Sequence, residues 1–433
     1  MEKNLTTDPY KGVRDFYPED MAVQRYIFDT WAKTAESFGF VRYDASLLEP
    51  ANIYRSKGAE NEEMVNEQTY TFVDRGEREV TLRPEMTPTV ARLIAGRRHE
   101  LKFPVKWYSI PNLFRYERPQ RGRLREHWQL NCDIFGTDSI AADIEIISLA
   151  NQVLLDFGAT PEMFEIRVNS RSFMDEWYST LGVAEAGLQQ QITRLNDRKN
   201  KISDDEYESE LKKILGEPFD TANLKAGLED SSITTLKPET PIRQLIEALA
   251  KLGITNVKFD KTIARGFNYY TDTVFEVFDV SGENNRSLMG GGRYDNLTAL
   301  FSDTPITGIG FGMGDVTMRD FLETHKLLPS NLNLHPHLTI IPLDETIVPD
   351  ALKIAHAFRE RDINKAFRVN VDYGTAKLGK KVGHASDNQS TYVLVVGNDE
   401  LSQGVFTIKK LATGETLSGT LDELIIRVLA ETK

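Results

Sequence analysis

W-Y-S-I-P-N-L-F-R-Y-E-R-P-Q-R-G-R-L-R-E-H-W-Q-L-N-C-D-I-F-G, Trp107 to Gly136, is the stretch whose reading decides the fold. It reads as a hairpin. The first arm, Trp107 to Tyr116, is rich in aromatic and branched residues, and Pro119 and Gly122 mark a loop from Glu117 to Leu124. The return arm, Glu126 to Phe135, alternates apolar and polar side chains, as a strand with one buried face does. Arg115, Arg118, Arg121, Arg123 and Arg125 crowd one arm tip and its loop. A guanidinium is a planar fork of donors that matches phosphate oxygens, and cations so crowded repel each other unless an anion neutralises them. On the return arm Gln129, Asn131 and Asp133 share one face of the strand. A cation row beside a polar face with a carboxylate suggests a site for a polyphosphate plus a small, positively charged molecule. The plainer reading of the loop alone is an edge hairpin with a solvated basic tip.

Outward from this hairpin, the chain reads as a sheet protein in several parts. Its 433 residues allow two or three domains. Hydrophobic content of 40% and charged content of 27% are those of a soluble globular protein, with no apolar run long enough to span a membrane. The start, M-E-K-N-L-T-T-D-P-Y, lacks the apolar core of a signal peptide, and a cytoplasmic location is expected. The one cysteine, Cys132, rules out an intrachain disulfide and reads as a small buried strand residue. The seven histidines show no metal-ligand spacing, so no bound metal is expected. A formal charge of −13 argues against a sequence-blind nucleic-acid binder, while leaving room for a folded RNA held by local basic patches.

Met21 to Phe38 carries apolar residues at helical spacing, with Gly39 at its end. Thr69 to Val73 and Glu79 to Leu82 read as a second hairpin turning at Arg75-Gly76, followed by L-R-P-E-M-T-P. Pro84 stops the strand, which places Glu85 and Thr87 at a strand-to-helix junction where they could hold an ammonium group or simply cap the helix. Ala141 to Phe157 reads as a helix and Phe164 to Val168 as a strand. Residues 170–253 turn helical, charged and poor in aromatics, and read as an insertion with a solvated face. Thr262 to Val280 reads as a strand pair around Gly266 and Asn268, with Arg265 in an apolar setting beside Tyr269 and Tyr270. G-G-G-R-Y-D follows, and three glycines let a backbone pass close to a ligand or another strand. In G-I-G-F-G-M-G-D, Gly308 to Asp315, glycine at every second position leaves one strand face bare, unlike a P-loop or a Rossmann turn. Beyond Pro336, strands and helices alternate, the pattern of a small α/β domain.

These motifs resemble those of the histidyl-tRNA synthetase family of class II aminoacyl-tRNA synthetases over nearly the whole chain. F-R-Y-E-R-P-Q-R-G-R resembles the second motif of the class. R-P-E-M-T, R-G-F-N-Y-Y-T-D-T-V-F-E and G-G-G-R-Y-D resemble the signatures of the histidine-specific members. The resemblance implies an α+β catalytic domain on a mainly antiparallel sheet at 1–325, with the helical insertion at about 170–253. A linker at 326–336 and an anticodon-binding-like α/β domain at 337–433 would follow. It implies activation of L-histidine with ATP and Mg²⁺ and transfer to tRNA(His), by a homodimer. Arg115 and Arg265 would be the catalytic cations at the α-phosphate. Glu85, Thr87 and Gln129 would hold the histidine ammonium, and Asp133, Tyr269 and Tyr270 the imidazole. Arg118, Gln120, Arg121 and Arg123 would lie near the tRNA acceptor end. Three positions depart from the family pattern. Asp133 stands where many relatives have glutamate, Asn268 where many have aspartate, and Thr317 where the third motif has an ATP-binding arginine. Arg319 is about 200° further round the helix. The Thr317 departure keeps a second reading open, a non-catalytic histidine-sensing paralogue like the regulatory subunit of ATP phosphoribosyltransferase.

Overall fold

A computed structural model describes residues 5–55, 68–198, 202–216, 221–263, 269–332 and 335–431. The chain divides into two compact units, Met1–Asn331 and Leu332–Lys433.

The alternation in Glu126–Phe135 does what it predicts. Leu130, Cys132 and Ile134 enter a large core with Trp31, Ile146 and Phe321, while Phe135 packs on the opposite face with Tyr270 and Tyr294. The strand lies inside a nine-stranded sheet, in the order Val41–Arg42, Val105–Ser109, Glu126–Phe135, Gly308–Gly314, Ser287–Arg293, Thr273–Asp279, Phe164–Ser170, Val257–Phe259. Asn112–Phe114 pairs beside it on Glu126–Phe135. Only the outermost pairings at the two ends are parallel, so the sheet is mainly antiparallel. The helices Pro18–Ser37 and Ile140–Asp156 cover the core face. Ser139 caps the second by accepting from Ala141 N.

The register explains the glycines. Gly310 lies opposite Asp133 and Gly312 opposite Asn131, while Gly292 and Gly290 face Gly310 and Gly312 from the other side. A Cβ on Gly291 would lie 2.2 Å from the Gly310 carbonyl oxygen, and one on Gly292 would lie 2.3 Å from that of Thr273. The triple glycine is therefore required by close packing of strands, and it also brings bare backbone to the pocket described below.

The second hairpin forms as Tyr70–Val73 and Glu79–Leu82, its turn held by the Asp74 carboxylate, which accepts from Gly76 N and Arg78 N. The helices Arg171–Thr180, Ala186–Arg198, Asp204–Leu215 and Thr221–Glu229 build a small core of their own around Tyr178, Tyr207, Leu211 and Leu224. Asn196 joins the two tyrosines, donating to Tyr178 Oη and accepting from Tyr207 Oη. Of the strand pair expected over Thr262 to Val280, the second arm forms. Only Thr273–Asp279 is a strand among the described residues. Asp260 bends the chain away by accepting from both Thr262 N and its hydroxyl. Arg265, Gly266 and Asn268 lie outside the described residues.

The second unit holds a five-stranded sheet in the order Val369–Val371, Leu338–Pro342, Tyr392–Val396, Phe406–Lys410, Thr416–Gly419. The first three strands are parallel and the last two antiparallel. The helices Val348–Arg361 and Leu421–Glu431 close its core over Ile340, Leu394 and Ile408, and Leu378–Asp387 packs Ala385 against Ile341 and Val393. A short helix, Asn398–Gln403, goes beyond the sequence expectation. No helix among the described residues is long and apolar enough to cross a membrane.

Candidate active site

The polar face of Glu126–Phe135 looks onto a pocket with about 340 Å³ of empty space, its open mouth included. Glu85, Thr87, Arg115, Gln129, Tyr269 and Tyr270, six of the residues expected from sequence, line it, and Asn131, Tyr294, Phe311, Gly290, Gly310 and Gly312 complete the wall. Pro84 interrupts the chain after the strand Glu79–Leu82, and the helix Thr87–Gly96 starts three residues later, so Glu85 and Thr87 reach the pocket from the junction. Thr87 is the first helical residue and does not cap the helix, whose N-cap is Met86. Glu85 is buried and accepts from Tyr269 Oη at 3.2 Å.

Arg115 is aimed by its backbone N–H to the Arg125 carbonyl and by Nε donating to Pro84 O at 2.9 Å, which leaves its two terminal nitrogens for the pocket. The crowded arginines are partly relieved within the loop. Arg125 is buried, with its guanidinium 4.0 Å above the Tyr116 ring, and donates to Tyr10 Oη. Arg123 pairs with Glu117 at 2.8 Å. Gly122, at φ +72, closes the loop between the Gln120–Arg123 backbone bonds. Arg118, Gln120 and Arg121 are exposed. Arg118, Gln120 and Arg123 line a second, more open hollow with about 720 Å³ of empty space, its mouth included, together with Gln68, Tyr116 and Glu117.

Asp133, expected with Tyr269 and Tyr270 at the imidazole, is not among the residues that line the pocket. It lies buried behind the wall and accepts from the hydroxyl of Tyr294. Its Oδ2, like the Oδ1 of Asn131, has no hydrogen-bond partner among the described residues. Buried acceptors of this kind call for donors, and a small ligand with several N–H groups would supply them. Burial pushes the Asp133 carboxyl up to about 7, against the Tyr294 bond, which lowers it. The same burial, then the Asp133 charge, pushes the Tyr294 phenol well above its usual range. Tyr269, Tyr270 and Tyr294 form one aromatic group, with ring centroids 4.8 to 6.4 Å apart. Tyr294 was visible in sequence only as the neighbour of the triple glycine, and its partner is 161 residues away.

The raised carboxyl predicts a pH dependence of the ligand-free protein. The unfolded chain releases the Asp133 proton near 3.8 and the folded chain near 7. Between these values the folded state binds more protons, so this group's stabilisation is complete below pH 4 and lost as pH rises to 7, with a slope of up to about 1.4 kcal/mol per pH unit. Urea unfolding of wild type and Asp133→Asn across pH 5 to 8 should show the variant's curve flatter by that contribution. Parallel curves would mean that Asp133 is ionised throughout.

His127, not singled out in sequence, extends the polar face toward the loop. Burial first, then the charges of Arg115, Arg14 and Arg123, lower its imidazole to about 3, so it is neutral at pH 7. Arg293 of the G-G-G-R-Y-D motif has a structural role. It grips Asp143 and the Ser139 and Thr137 carbonyls, tying the sheet to the helix start. At the third-motif position the Thr317 hydroxyl donates to the carbonyls of Leu288 and Gly314, while Arg319 turns to Asp20 and Glu323.

An antiparallel sheet whose glycine-lined pocket sets one guanidinium beside carboxyl and phenol groups is the architecture of a class II aminoacyl-tRNA synthetase. Residues 12–315 match the family model for histidyl-tRNA synthetase, and residues 337–431 match that of an anticodon-binding domain. The chain is 39% identical to the histidine–tRNA ligase of Leptospira biflexa serovar Patoc over 99% of both chains. It is 38% identical to that of Thermoplasma volcanium over 96% of both. The crystal structure of histidyl-tRNA synthetase from Nostoc sp. PCC 7120 shares the fold, with a TM-score of 0.79 at 21% identity, covering 99% of this chain and all of that one. The chain belongs to the histidyl-tRNA synthetase family.

Proposed function

We propose that the pocket is where L-histidine and ATP meet, and that the chain joins histidine to tRNA(His) in two steps. The observation that carries this reading is the convergence of Arg115 with Glu85, Gln129 and the three tyrosines on one cavity. Glu85, Thr87 and Gln129 take the α-ammonium. The imidazole lies among Tyr269, Tyr270 and Tyr294, with Asp133 behind Tyr294 polarising that phenol. Histidine satisfies orphaned acceptors such as Asn131 Oδ1, whereas an apolar amino acid leaves them bare, which is the strongest form of discrimination available to a binding site.

In the first step the histidine carboxylate attacks the α-phosphorus in line and pyrophosphate leaves. No protein nucleophile is needed, so the chain contributes position and charge. Arg115 faces the charge that develops on the α-phosphate, and Arg265 is proposed as the second cation there. Mg²⁺ would be carried by the nucleotide's own phosphates and would offset their charge. In the second step the acyl group passes to the terminal ribose hydroxyl of tRNA. Arg118, Gln120, Arg121 and Arg123 lie near the acceptor end, and residues 337–433 read the anticodon, joined by residues 326–336 to a catalytic domain at 1–325 with its insertion at about 170–253. The working form is taken to be a homodimer, as expected from sequence.

The test is ATP–pyrophosphate exchange with each amino acid in turn. Histidine alone should support exchange, with other amino acids at least about a hundredfold weaker, the worth of two or so unpaired buried groups. Tight histidine binding without exchange would instead support the sensor reading.

A further inference from the structure

Arg286 stands just ahead of the strand Ser287–Arg293 and is only partly exposed. Its stem lies against the loop turn. A Cβ added to Gly122 would meet Arg286 Cδ at 3.0 Å and, from the other side, Thr317 Cγ2 at 3.4 Å. Three distant segments therefore converge here: the arginine loop, the start of the helix Asp315–Thr324, and the residue leading into the glycine strand. Among the described residues Arg286 has no hydrogen-bond or ion-pair partner. Glu117, whose charge favours the Arg286 cation, is already paired with Arg123 at 2.8 Å. Desolvation and then the Arg123 charge disfavour the Arg286 cation, with Glu117 only partly offsetting them. A half-buried guanidinium with five free donors beside a second guanidinium is unfavourable unless an anion joins them.

We infer that Arg286 is a nucleotide-binding cation that holds the outer phosphates of ATP, at the end of the phosphate chain away from Arg115. The inference rests on the reading above that the nucleotide lies along the arginine hairpin. It gives the polyphosphate a clamp that no residue of the helix Asp315–Thr324 provides, since Thr317 carries no charge and Arg319 is engaged elsewhere. The required ligand class is a nucleoside triphosphate. A monophosphate held at Arg115 lacks the outer phosphates that Arg286 would contact.

The experiment is calorimetric titration of the full-length protein with ATP and with AMP, without histidine, for wild type and Arg286→Gln. Glutamine keeps the stem against Gly122 and removes only the charge. The expected result is an ATP Kd about tenfold weaker in the variant, the worth of one charge-assisted hydrogen bond, with the AMP Kd within about twofold of wild type. Unchanged ATP affinity overturns the inference, as does equal loss for ATP and AMP, which would signal a disturbed pocket rather than a lost clamp. A variant that charges tRNA poorly while binding ATP normally would assign Arg286 to the acceptor end and also overturn it. Wild-type protein that binds no nucleotide would overturn the proposed function itself.

Discussion

A Gly310→Ala variant should lose histidine activation almost completely, by at least about a thousandfold in kcat/KM for exchange, through disruption of buried polar groups and strand packing together. The added methyl has no place to go. Its carbon would lie 2.4 Å from Asp133 Oδ1, 2.5 Å from the Cys132 carbonyl oxygen and 2.6 Å from Tyr294 Oη. The first and third of these atoms are the two ends of the bond that holds Asp133 behind the wall, and the second is backbone of the central strand. Either the Asp133–Tyr294 contact breaks or the strands part. A control comes from the same strand and the same alternation. A Cβ on Gly314 would meet only Thr317 Oγ1, at an ordinary 3.5 Å. Gly314→Ala should therefore keep exchange within about threefold of wild type, since changes without such a clash are usually within about 0.5 kcal/mol. Measuring exchange and histidine affinity for both variants decides the matter. Equal behaviour of the two would mean that the bare glycine face does not set the histidine site.

That contrast shows where the sequence could be read and where it could not. Alternation in Glu126–Phe135 is a local signal, and it placed Gln129 and Asp133 on one face before any partner strand was known. Glycine at 308, 310, 312 and 314 was equally visible, but its meaning depends on register. Only the pairing of Gly310 with Asp133 and Gly312 with Asn131 reveals that each missing side chain leaves room for a neighbour, so that a Cβ on Gly312 would lie 1.5 Å from Gln129 Nε2. Asp133 was legible as an acid on the polar face of its strand, whereas its Tyr294 partner was not, because the contact joins segments far apart in the chain. Over Thr262 to Val280 the β-branched and aromatic residues carry strand propensity, and the described strand is Thr273–Asp279, while the Asp260 side chain turns the backbone at Thr262. Arg286 gave no signal at all. It sits after a polar turn, and its significance comes from the loop and helix that fold against it.

Arg115→Ala should reduce histidine-dependent exchange by roughly a hundred- to a thousandfold, about 3 to 4 kcal/mol of transition-state stabilisation, with little change in histidine affinity. The asymmetry follows from what Arg115 touches. Its Nε is spent on Pro84 O, and its backbone belongs to the hairpin, so the side chain has one rigid orientation with the terminal nitrogens turned to the cavity. Such a group requires no reorganisation when negative charge grows on the phosphate, and preorganised charge of this kind acts mainly on the transition state. The ammonium and imidazole subsites lie on other residues, so histidine binding should stay within about threefold, as for a site that shares no partner with the change. Lysine should not restore the rate. It keeps the charge but lacks the second nitrogen and the Nε–H that fixes the guanidinium plane on Pro84. Exchange kinetics and calorimetry with histidine on wild type, Arg115→Ala and Arg115→Lys separate the two effects. If histidine affinity falls in step with the rate, Arg115 is shaping the pocket. If exchange falls less than threefold in both variants, the phosphate is held elsewhere.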